Sequence, residues 1–177
     1  MKDKGEIIAF DIHPHRVKLV EKVAKRLDLK SIKTTVKDAS IYDEYYKEKF
    51  DKILLDVPCL GLGVLKRKPD IKWQKTKDDI EEISKIQKQI LNTCSKYLKK
   101  GGTLVYSTCS ILKEENENIV NEFLEKNENF EMKKIELEEN NYFKKYLENN
   151  KFLQVYQNDK SDGFFMCKII KKWSIFK

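Results

Sequence analysis

Two cysteines each follow an apolar run whose pattern predicts a buried strand. The runs are Ile-Leu-Leu-Asp-Val-Pro-Cys at residues 53–59 and Leu-Val-Tyr-Ser-Thr-Cys-Ser at residues 104–110. Open α/β sheets place their active sites at the carboxyl ends of parallel strands, so both thiols are expected at such an edge. Two neighbouring thiols with an aspartate beside one of them form a set that suits covalent catalysis.

Attack on a pyrimidine ring is the chemistry that this set suits. Sulfur adds to carbon 6, which makes carbon 5 nucleophilic enough to accept a methyl group. The ring must be activated by proton donation near nitrogen 3, and the aspartate could serve there if it is protonated or if it holds the ring edge. The second thiol would later remove the proton from carbon 5. For each cysteine the alternative is a small buried hydrophobe.

Asp56 directly follows Ile-Leu-Leu, where a charge is costly unless it faces a cleft. The proline after it makes the exit from the strand rigid and fixes the direction of Cys59. Cys94 lies on the apolar face of a predicted helix and Cys167 within a predicted strand, so both are expected to be structural. The cysteines have no paired metal-type spacing, and no metal site is predicted.

Strands alternate with helices along the chain, which predicts an α/β fold with a parallel sheet and right-handed crossovers. Predicted strands cover residues 6–12, 32–36, 50–56, 103–107, 130–137 and 163–171. Predicted helices cover residues 14–27, 78–100 and 114–126, with a loop at 60–74 and a helix stop at Gly101-Gly102. We expect one domain over residues 1–177, with residues 140–151 as an exposed insertion.

Two aspartates lie at the ends of the first two predicted strands. Asp11 is placed to bind the ribose hydroxyls of a nucleoside cofactor, and helix capping is its alternative role. Asp38 is placed to accept a hydrogen bond from an adenine amino group, and a turn is its alternative.

Composition favours a polyanionic partner without establishing one. The net charge is +7, and charged residues make up 37% of the chain. The loop residues Lys66, Arg67, Lys68 and Lys72 precede Trp73, which suits phosphate contacts and base stacking; a solvated loop is the alternative. No apolar run approaches the roughly 20 residues of a membrane span, and no secretory signal is present. We therefore expect no membrane partner and a cytoplasmic protein with reduced thiols.

Three segments resemble the RsmB/Sun (Fmu) family of S-adenosylmethionine-dependent RNA (cytosine-5) methyltransferases. The first is Asp-Val-Pro-Cys-Leu-Gly-Leu-Gly-Val-Leu-Lys-Arg-Lys-Pro-Asp-Ile-Lys-Trp at residues 56–73. The second is Leu-Val-Tyr-Ser-Thr-Cys-Ser-Ile-Leu-Lys-Glu-Glu-Asn-Glu at residues 104–117, and the third is Asp-Gly-Phe-Phe-Met-Cys-Lys at residues 162–168. The segments occur in the family's order and extend over most of the chain.

The resemblance implies S-adenosylmethionine as the methyl donor and a cytosine in RNA, most often 16S ribosomal RNA, as the target. By motif position Cys109 is the nucleophile and Cys59 assists product release. Asp56 lies between cofactor and base, Asp11 matches the ribose-binding acid, and Asp38 matches the adenine-side acid. The resemblance also favours an RNA-facing role for the basic loop.

The implied fold is a Rossmann-like class I methyltransferase sheet, mostly parallel with an antiparallel end. The family's first strand and glycine-rich loop are missing from this sequence, so the chain is expected to be the carboxyl-terminal part of a catalytic domain. One alternative is an RNA-binding remnant without activity, which cofactor binding would distinguish. Another is a DNA methyltransferase, which would use Cys59 as its nucleophile.

Overall fold

Strands and helices alternate along most of the chain in the computed structural model, which describes residues 1–149 and 151–173 but not the side chains of Lys72 and Gln74. The strands are β1 (Ile7–Asp11), β2 (Ile32–Val36), β3 (Phe50–Asp56), β4 (Leu98–Thr108), β5 (Phe130–Lys133), β6 (Leu147–Glu148), β7 (Phe152–Val155) and β8 (Phe164–Lys171). The helices are α1 (Pro14–Arg26), α2 (Ile71–Gln74), α3 (Lys77–Ser95) and α4 (Glu117–Lys126).

The chain divides into two units, residues 1–42 and 43–177. In the first unit β1 and β2 pair in parallel, with Asp11 opposite Val36 at the end of the ladder. Helix α1 joins these strands and begins at Pro14, a residue well suited to the first turn because it has no N–H to leave unpaired. The crossover therefore brings Asp11 and the residues after β2 to the same edge of this small sheet.

The second unit contains a six-stranded sheet in the order β3-β4-β8-β7-β6, with β5 also paired to β8. Strands β3 and β4 are parallel, whereas β8 runs antiparallel to β4, β5 and β7. The predicted α/β fold with parallel pairing and an antiparallel end is thus confirmed. In the β3–β4 ladder Asp56 lies opposite Ser107, so both cysteine-bearing segments leave the sheet at one edge.

The core of the second unit lies around β4 and β8. Leu104 and Tyr106 on β4 are fully buried, as are Phe165 and Ile169 on β8. Cys167 on β8 and Cys94 on α3 are also buried, in agreement with their predicted structural role. A thiol at either position packs as a small apolar group.

The predicted helix over residues 78–100 is wrong at its carboxyl end. Helix α3 ends at Ser95, and Leu98 already pairs with Phe50 in the β3–β4 ladder. The apolar Leu98 continues the helical spacing of α3, but it is the first residue of β4. Its side chain is fully buried there. Gly101 and Gly102 therefore lie inside β4, where Gly101 has a φ of +74°, and do not end the helix.

Smaller differences occur elsewhere. The predicted strand over 130–137 ends at Lys133, and the predicted loop over 60–74 contains the short helix α2. Residues 142–146 form a helical turn that leads into β6, within the segment predicted as an exposed insertion. Among the described residues, no helix combines the length and apolar character needed to cross a membrane.

Candidate active site

The sulfur atoms of Cys59 and Cys109 lie 2.8 Å apart, within hydrogen-bonding distance of each other. Cys59 lies three residues beyond the end of β3, and Cys109 directly follows β4. The Val57 amide donates to the Ser107 carbonyl at 3.1 Å, which extends the parallel pairing past the end of β3. The structure therefore brings together the two thiols that the sequence placed at neighbouring strand ends.

Gly63 allows the Cys59 loop to lie directly against the chain at Cys109. Its amide donates to the Cys109 carbonyl at 2.9 Å, and its carbonyl accepts from the Gly163 amide at 2.7 Å. A Cβ atom at position 63 would lie 2.4 Å from the Gly163 carbonyl oxygen and 2.7 Å from that of Cys109. These distances exclude any side chain unless the backbone moves.

The two thiols differ in their tendency to ionise. The hydrogen bond from Cys59 lowers the pKa of Cys109 to about 7, and the same contact raises the pKa of Cys59 above its usual range. Cys59 is therefore favoured as the donor in this contact, and Cys109 is the sulfur that ionises first. Both residues are half-buried, so the Cys109 thiolate is partly shielded from water.

Asp56 ends β3 and lies near the thiol pair. Its Oδ1 atom is 3.5 Å from the Ser107 hydroxyl, which belongs to the partner strand. The negative charge of Asp56 opposes ionisation of Cys109, and its effect on that pKa is smaller than the effect of the Cys59 hydrogen bond. Asp56 is exposed and lies within electrostatic range of the Cys109 sulfur.

A buried carboxylate lies behind the two thiols. Glu115 is completely buried, and its carboxylate accepts hydrogen bonds from the Leu60 amide at 2.9 Å and from the Ser110 hydroxyl. The side-chain amide of Gln87 donates to the same carboxylate at 3.0 Å and to the Pro58 carbonyl at 2.8 Å. These contacts fix the residues on either side of Cys59.

Asn116 hydrogen-bonds to the residues on either side of Cys109, as Glu115 and Gln87 do for Cys59. Its side chain accepts from the Thr108 hydroxyl at 2.6 Å and donates to the Ser110 carbonyl at 3.0 Å. It also donates to the Gln154 side chain at 3.0 Å, which connects the site to β7.

Sequence reasoning missed the roles of Gln87, Glu115 and Asn116. Glu115 and Asn116 lie inside the segment 104–117 that carries the family resemblance, and Gln87 interrupts the apolar face of α3. The available signal was Gln87, a polar residue at a helical position where burial is expected. A buried polar residue needs a hydrogen-bonding partner.

In the first unit Asp11 is the last residue of β1, and Asp38 lies two residues beyond the end of β2. The Asp11 carboxylate accepts from the His13 amide at 2.8 Å, and Arg16 lies 3.8 Å from it. The Asp38 carboxylate accepts from the hydroxyl and the amide of Ser40, and these bonds lower its pKa. The assignment of both residues to cofactor binding stays a prediction.

The basic loop makes ion pairs within the chain. Lys66 contacts Asp159 at 3.2 Å and donates to the Asn158 carbonyl at 2.9 Å, and Arg67 pairs with Asp162. The Lys68 side chain is exposed, and the Lys72 side chain lies outside the described residues. No cluster of potential metal ligands occurs in the part of the chain that the structure describes.

Comparison with known proteins identifies related sequences. The family model described as 16S rRNA methyltransferase RsmB/F matches residues 1–170. The chain is 38% identical over 175 residues to the probable ribosomal RNA small subunit methyltransferase B of Bacillus subtilis, covering 97% of this chain and 39% of that protein. It is 47% identical over 122 residues to ribosomal RNA small subunit methyltransferase B of Shewanella oneidensis, covering 67% of this chain and 28% of that protein. The chain thus spans about two fifths or less of the length of these relatives.

Solved structures show the same fold. The structure of NSun6 from Pyrococcus horikoshii, determined with SFG, aligns over 98% of this chain and 43% of that chain, with a TM-score of 0.76 and 32% identity. A methyltransferase homologue from Pyrococcus horikoshii aligns over 98% of this chain and 55% of that chain, with a TM-score of 0.77 and 29% identity. The predicted class I methyltransferase fold is confirmed by these similarities.

The Cys59→Ala substitution tests which thiol carries the charge. Removing the hydrogen-bond donor should raise the pKa of Cys109 from about 7 toward the ordinary cysteine value of about 8.5. Iodoacetamide alkylation of Cys109, followed over pH by peptide mass spectrometry, gives the midpoint directly. Cys94→Ala, which removes a buried thiol elsewhere, should leave that midpoint unchanged. An unchanged midpoint in Cys59→Ala would mean that Cys59 does not stabilise the thiolate.

Proposed function

Because the chain belongs to the 16S rRNA methyltransferase RsmB/F family, we propose that it methylates carbon 5 of a cytosine in 16S ribosomal RNA through a covalent cysteine adduct. The observation that carries this proposal is the 2.8 Å contact between the sulfur atoms of Cys109 and Cys59. The lowered pKa of Cys109 favours it as the attacking sulfur, and the raised pKa of Cys59 favours it as the sulfur that holds a proton.

In the first step the Cys109 thiolate forms a bond to carbon 6 of the cytosine. The π electrons of the bond between carbons 5 and 6 shift onto carbon 5 and, by conjugation, toward nitrogen 3. Carbon 5 becomes electron-rich and nitrogen 3 becomes more basic. Asp56, near the thiol pair at the end of β3, holds the nitrogen 3 edge of the ring by accepting a hydrogen bond from the exocyclic amino group beside nitrogen 3. S-adenosylmethionine, when bound, supplies the methyl group that carbon 5 accepts.

Cys59 completes the reaction after methyl transfer. Attack by Cys109 uses up the thiolate charge whose hydrogen bond keeps the proton on Cys59, so Cys59 can then lose that proton to water. The resulting Cys59 thiolate takes the proton from carbon 5, the double bond between carbons 5 and 6 forms again, and Cys109 leaves as a thiolate. Both sulfurs are then in their initial ionisation states, and the net proton released is the one that Cys59 gave to water.

The described aspartates fit the nucleoside part of S-adenosylmethionine. Asp11 lies at the end of β1, where an acceptor for ribose hydroxyls is expected in this class of fold. The hydrogen bonds from Ser40 lower the pKa of Asp38 and favour its ionised form. An ionised carboxylate can accept a hydrogen bond from the adenine amino group.

The basic loop contributes to RNA binding in this proposal. Lys66, Arg67, Lys68 and Lys72 would contact phosphates, and the neighbouring acidic residues Asp159 and Asp162 would release Lys66 and Arg67 to the RNA. We place this activity in the cytoplasm, because the chain's free cysteines and a reactive thiol pair suit a reducing compartment.

Trapping with 5-fluorocytosine RNA tests the assignment of the nucleophile. A fluorine at carbon 5 cannot be removed as a proton, so wild-type chain with S-adenosylmethionine and a substituted 16S rRNA segment should give an adduct stable on a denaturing gel. Cys109→Ala should give no adduct, whereas Cys94→Ala should behave as the wild type does. With ordinary RNA, Cys59→Ala should accumulate the adduct because the carbon 5 proton remains.

Other outcomes would contradict the proposal. An adduct that persists in Cys109→Ala and disappears in Cys59→Ala would indicate the DNA-type arrangement. RNA binding without any adduct in the wild type would indicate an RNA-binding chain that lacks activity.

The salt dependence of RNA affinity tests the basic loop. Each lost phosphate contact to single-stranded RNA should reduce the slope of log affinity against log salt by about 0.7, because fewer counterions are released. Replacing the four basic loop residues with glutamine should therefore flatten the slope by up to about 3, measured by fluorescence anisotropy.

A control of equal charge separates local contacts from net charge. Three lysines and one arginine on α1 are exposed and can be replaced with glutamine together: Lys18, Lys22, Lys25 and Arg26. If both quadruple variants flatten the slope equally, the basic loop has no special role in RNA binding.

A further inference from the structure

We infer that Glu115 is the positioning residue that holds Cys59 and Cys109 in contact, by bonding the residue that follows each of them. Its role in catalysis rests on the proposed function, whereas its effect on the thiol pair can be measured without RNA or cofactor.

The Glu115 carboxylate connects the two loops with separate oxygen atoms. Its Oε2 atom accepts from the amide of Leu60, the residue after Cys59, at 2.9 Å. Its Oε1 atom accepts from the hydroxyl of Ser110, the residue after Cys109. A single side chain therefore fixes both loops at equivalent positions beside the sulfur atoms.

The carboxylate of Glu115 satisfies three donors at this location. The Leu60 amide and the Ser110 hydroxyl both donate, and Gln87 adds a third donor at 3.0 Å from Oε2. A glutamine at position 115 would offer one acceptor oxygen and would direct its own N–H group at one of these donors. Because Glu115 is completely buried, water cannot replace the lost acceptor.

Glu115 is anchored independently of the cysteine loops. Its backbone carbonyl accepts from the Tyr106 hydroxyl at 2.7 Å, and Tyr106 is a fully buried residue of β4. Burial raises the pKa of Tyr106, so this hydroxyl remains a donor. Gln87 holds the carboxylate from α3. Glu115 is therefore fixed by residues of β4 and α3, and the two cysteine loops are in turn hydrogen-bonded to Glu115.

Position and charge predict opposite effects of neutralising Glu115. The charge of Glu115 opposes ionisation of Cys109, as does the charge of Asp56, whereas the Cys59 hydrogen bond favours it. If Glu115 acted by charge alone, its removal would lower the pKa of Cys109. If it holds the two sulfurs together, its removal separates them and raises that pKa.

The test compares Glu115→Gln with Glu114→Gln in the full chain. Glu114 is the adjacent exposed glutamate and provides a matched loss of charge. We expect the midpoint of Cys109 alkylation against pH to rise by about one unit in Glu115→Gln, toward the Cys59→Ala value, and to stay unchanged in Glu114→Gln. A midpoint that falls or does not move in folded Glu115→Gln would overturn the inference.

A smaller change keeps the test decisive if Glu115→Gln does not fold. Ser110→Ala removes one hydrogen bond to the carboxylate and leaves the charge in place, so a smaller rise of the Cys109 midpoint is expected. An unchanged midpoint in Ser110→Ala would then overturn the inference.

The inference and the proposed function can fail separately. A wild-type chain that forms no RNA adduct, together with a raised midpoint in Glu115→Gln, would reject the function and retain the positioning role. An adduct that forms at the wild-type rate in Glu115→Gln, with an unmoved midpoint, would reject the positioning role and retain the function.

Discussion

The contact between the sulfur atoms of Cys59 and Cys109 is the interaction on which the site depends. At 2.8 Å the hydrogen bond between the two sulfurs lowers the pKa of Cys109 and raises that of Cys59, so two chemically identical side chains differ in their tendency to ionise. A hydrogen bond to a thiolate weakens steeply with distance, so the arrangement requires two loops from different strands to be held within a narrow range. The strand pairing, Gly63 and Glu115 all contribute to holding the two loops at this distance.

The requirement is met at three levels of structure. Parallel pairing of β3 with β4 brings the loops to one edge, with Asp56 opposite Ser107. The absence of a side chain at Gly63 then lets the first loop bond directly to the Cys109 carbonyl. Glu115 finally joins the residues that follow the two cysteines. The sheet sets the approximate position, and the buried polar contacts set the final distance.

Burying a carboxylate is costly, and this cost is offset only where its hydrogen bonds are complete. Glu115 accepts from a backbone amide, a hydroxyl and a side-chain amide. Asn116, the next residue, similarly bonds both neighbours of Cys109 and a residue of β7. Glu115 and Asn116 thus occupy buried positions that apolar residues could fill, and their hydrogen bonds fix the geometry of the two cysteine loops.

The sequence was informative where the period of apolar residues had one interpretation. The runs before Cys59 and Cys109 are short apolar segments that predict strands, and both form strands, so the position of both thiols at a strand edge was predictable. The burial predicted for the first run is wrong, because Leu54 on β3 is 70% exposed. Leu98 was ambiguous, because an apolar residue there continues the spacing of α3 and equally fits the start of β4. Pairing with Phe50, a contact distant in sequence, decides between the two.

The supporting residues were not predictable for a different reason. Glu115 occurs in a charged segment, Lys-Glu-Glu-Asn-Glu, in which every glutamate has similar sequence surroundings. Only the turn before α4 determines that Glu115 is directed inward while Glu114 is exposed. The roles of Asp11, Asp38 and the basic loop depend on a bound cofactor or RNA and stay predictions.

The ionisation of the two thiols in the unmodified chain tests this account most directly. Labelling cysteine with ¹³C at Cβ allows each thiol to be titrated separately by NMR, because the Cβ shift responds to loss of the proton. The account predicts that Cys109 titrates near pH 7 and that Cys59 remains protonated well above that pH. Titration of Cys59 first, or ordinary and independent titration of both thiols, would contradict it.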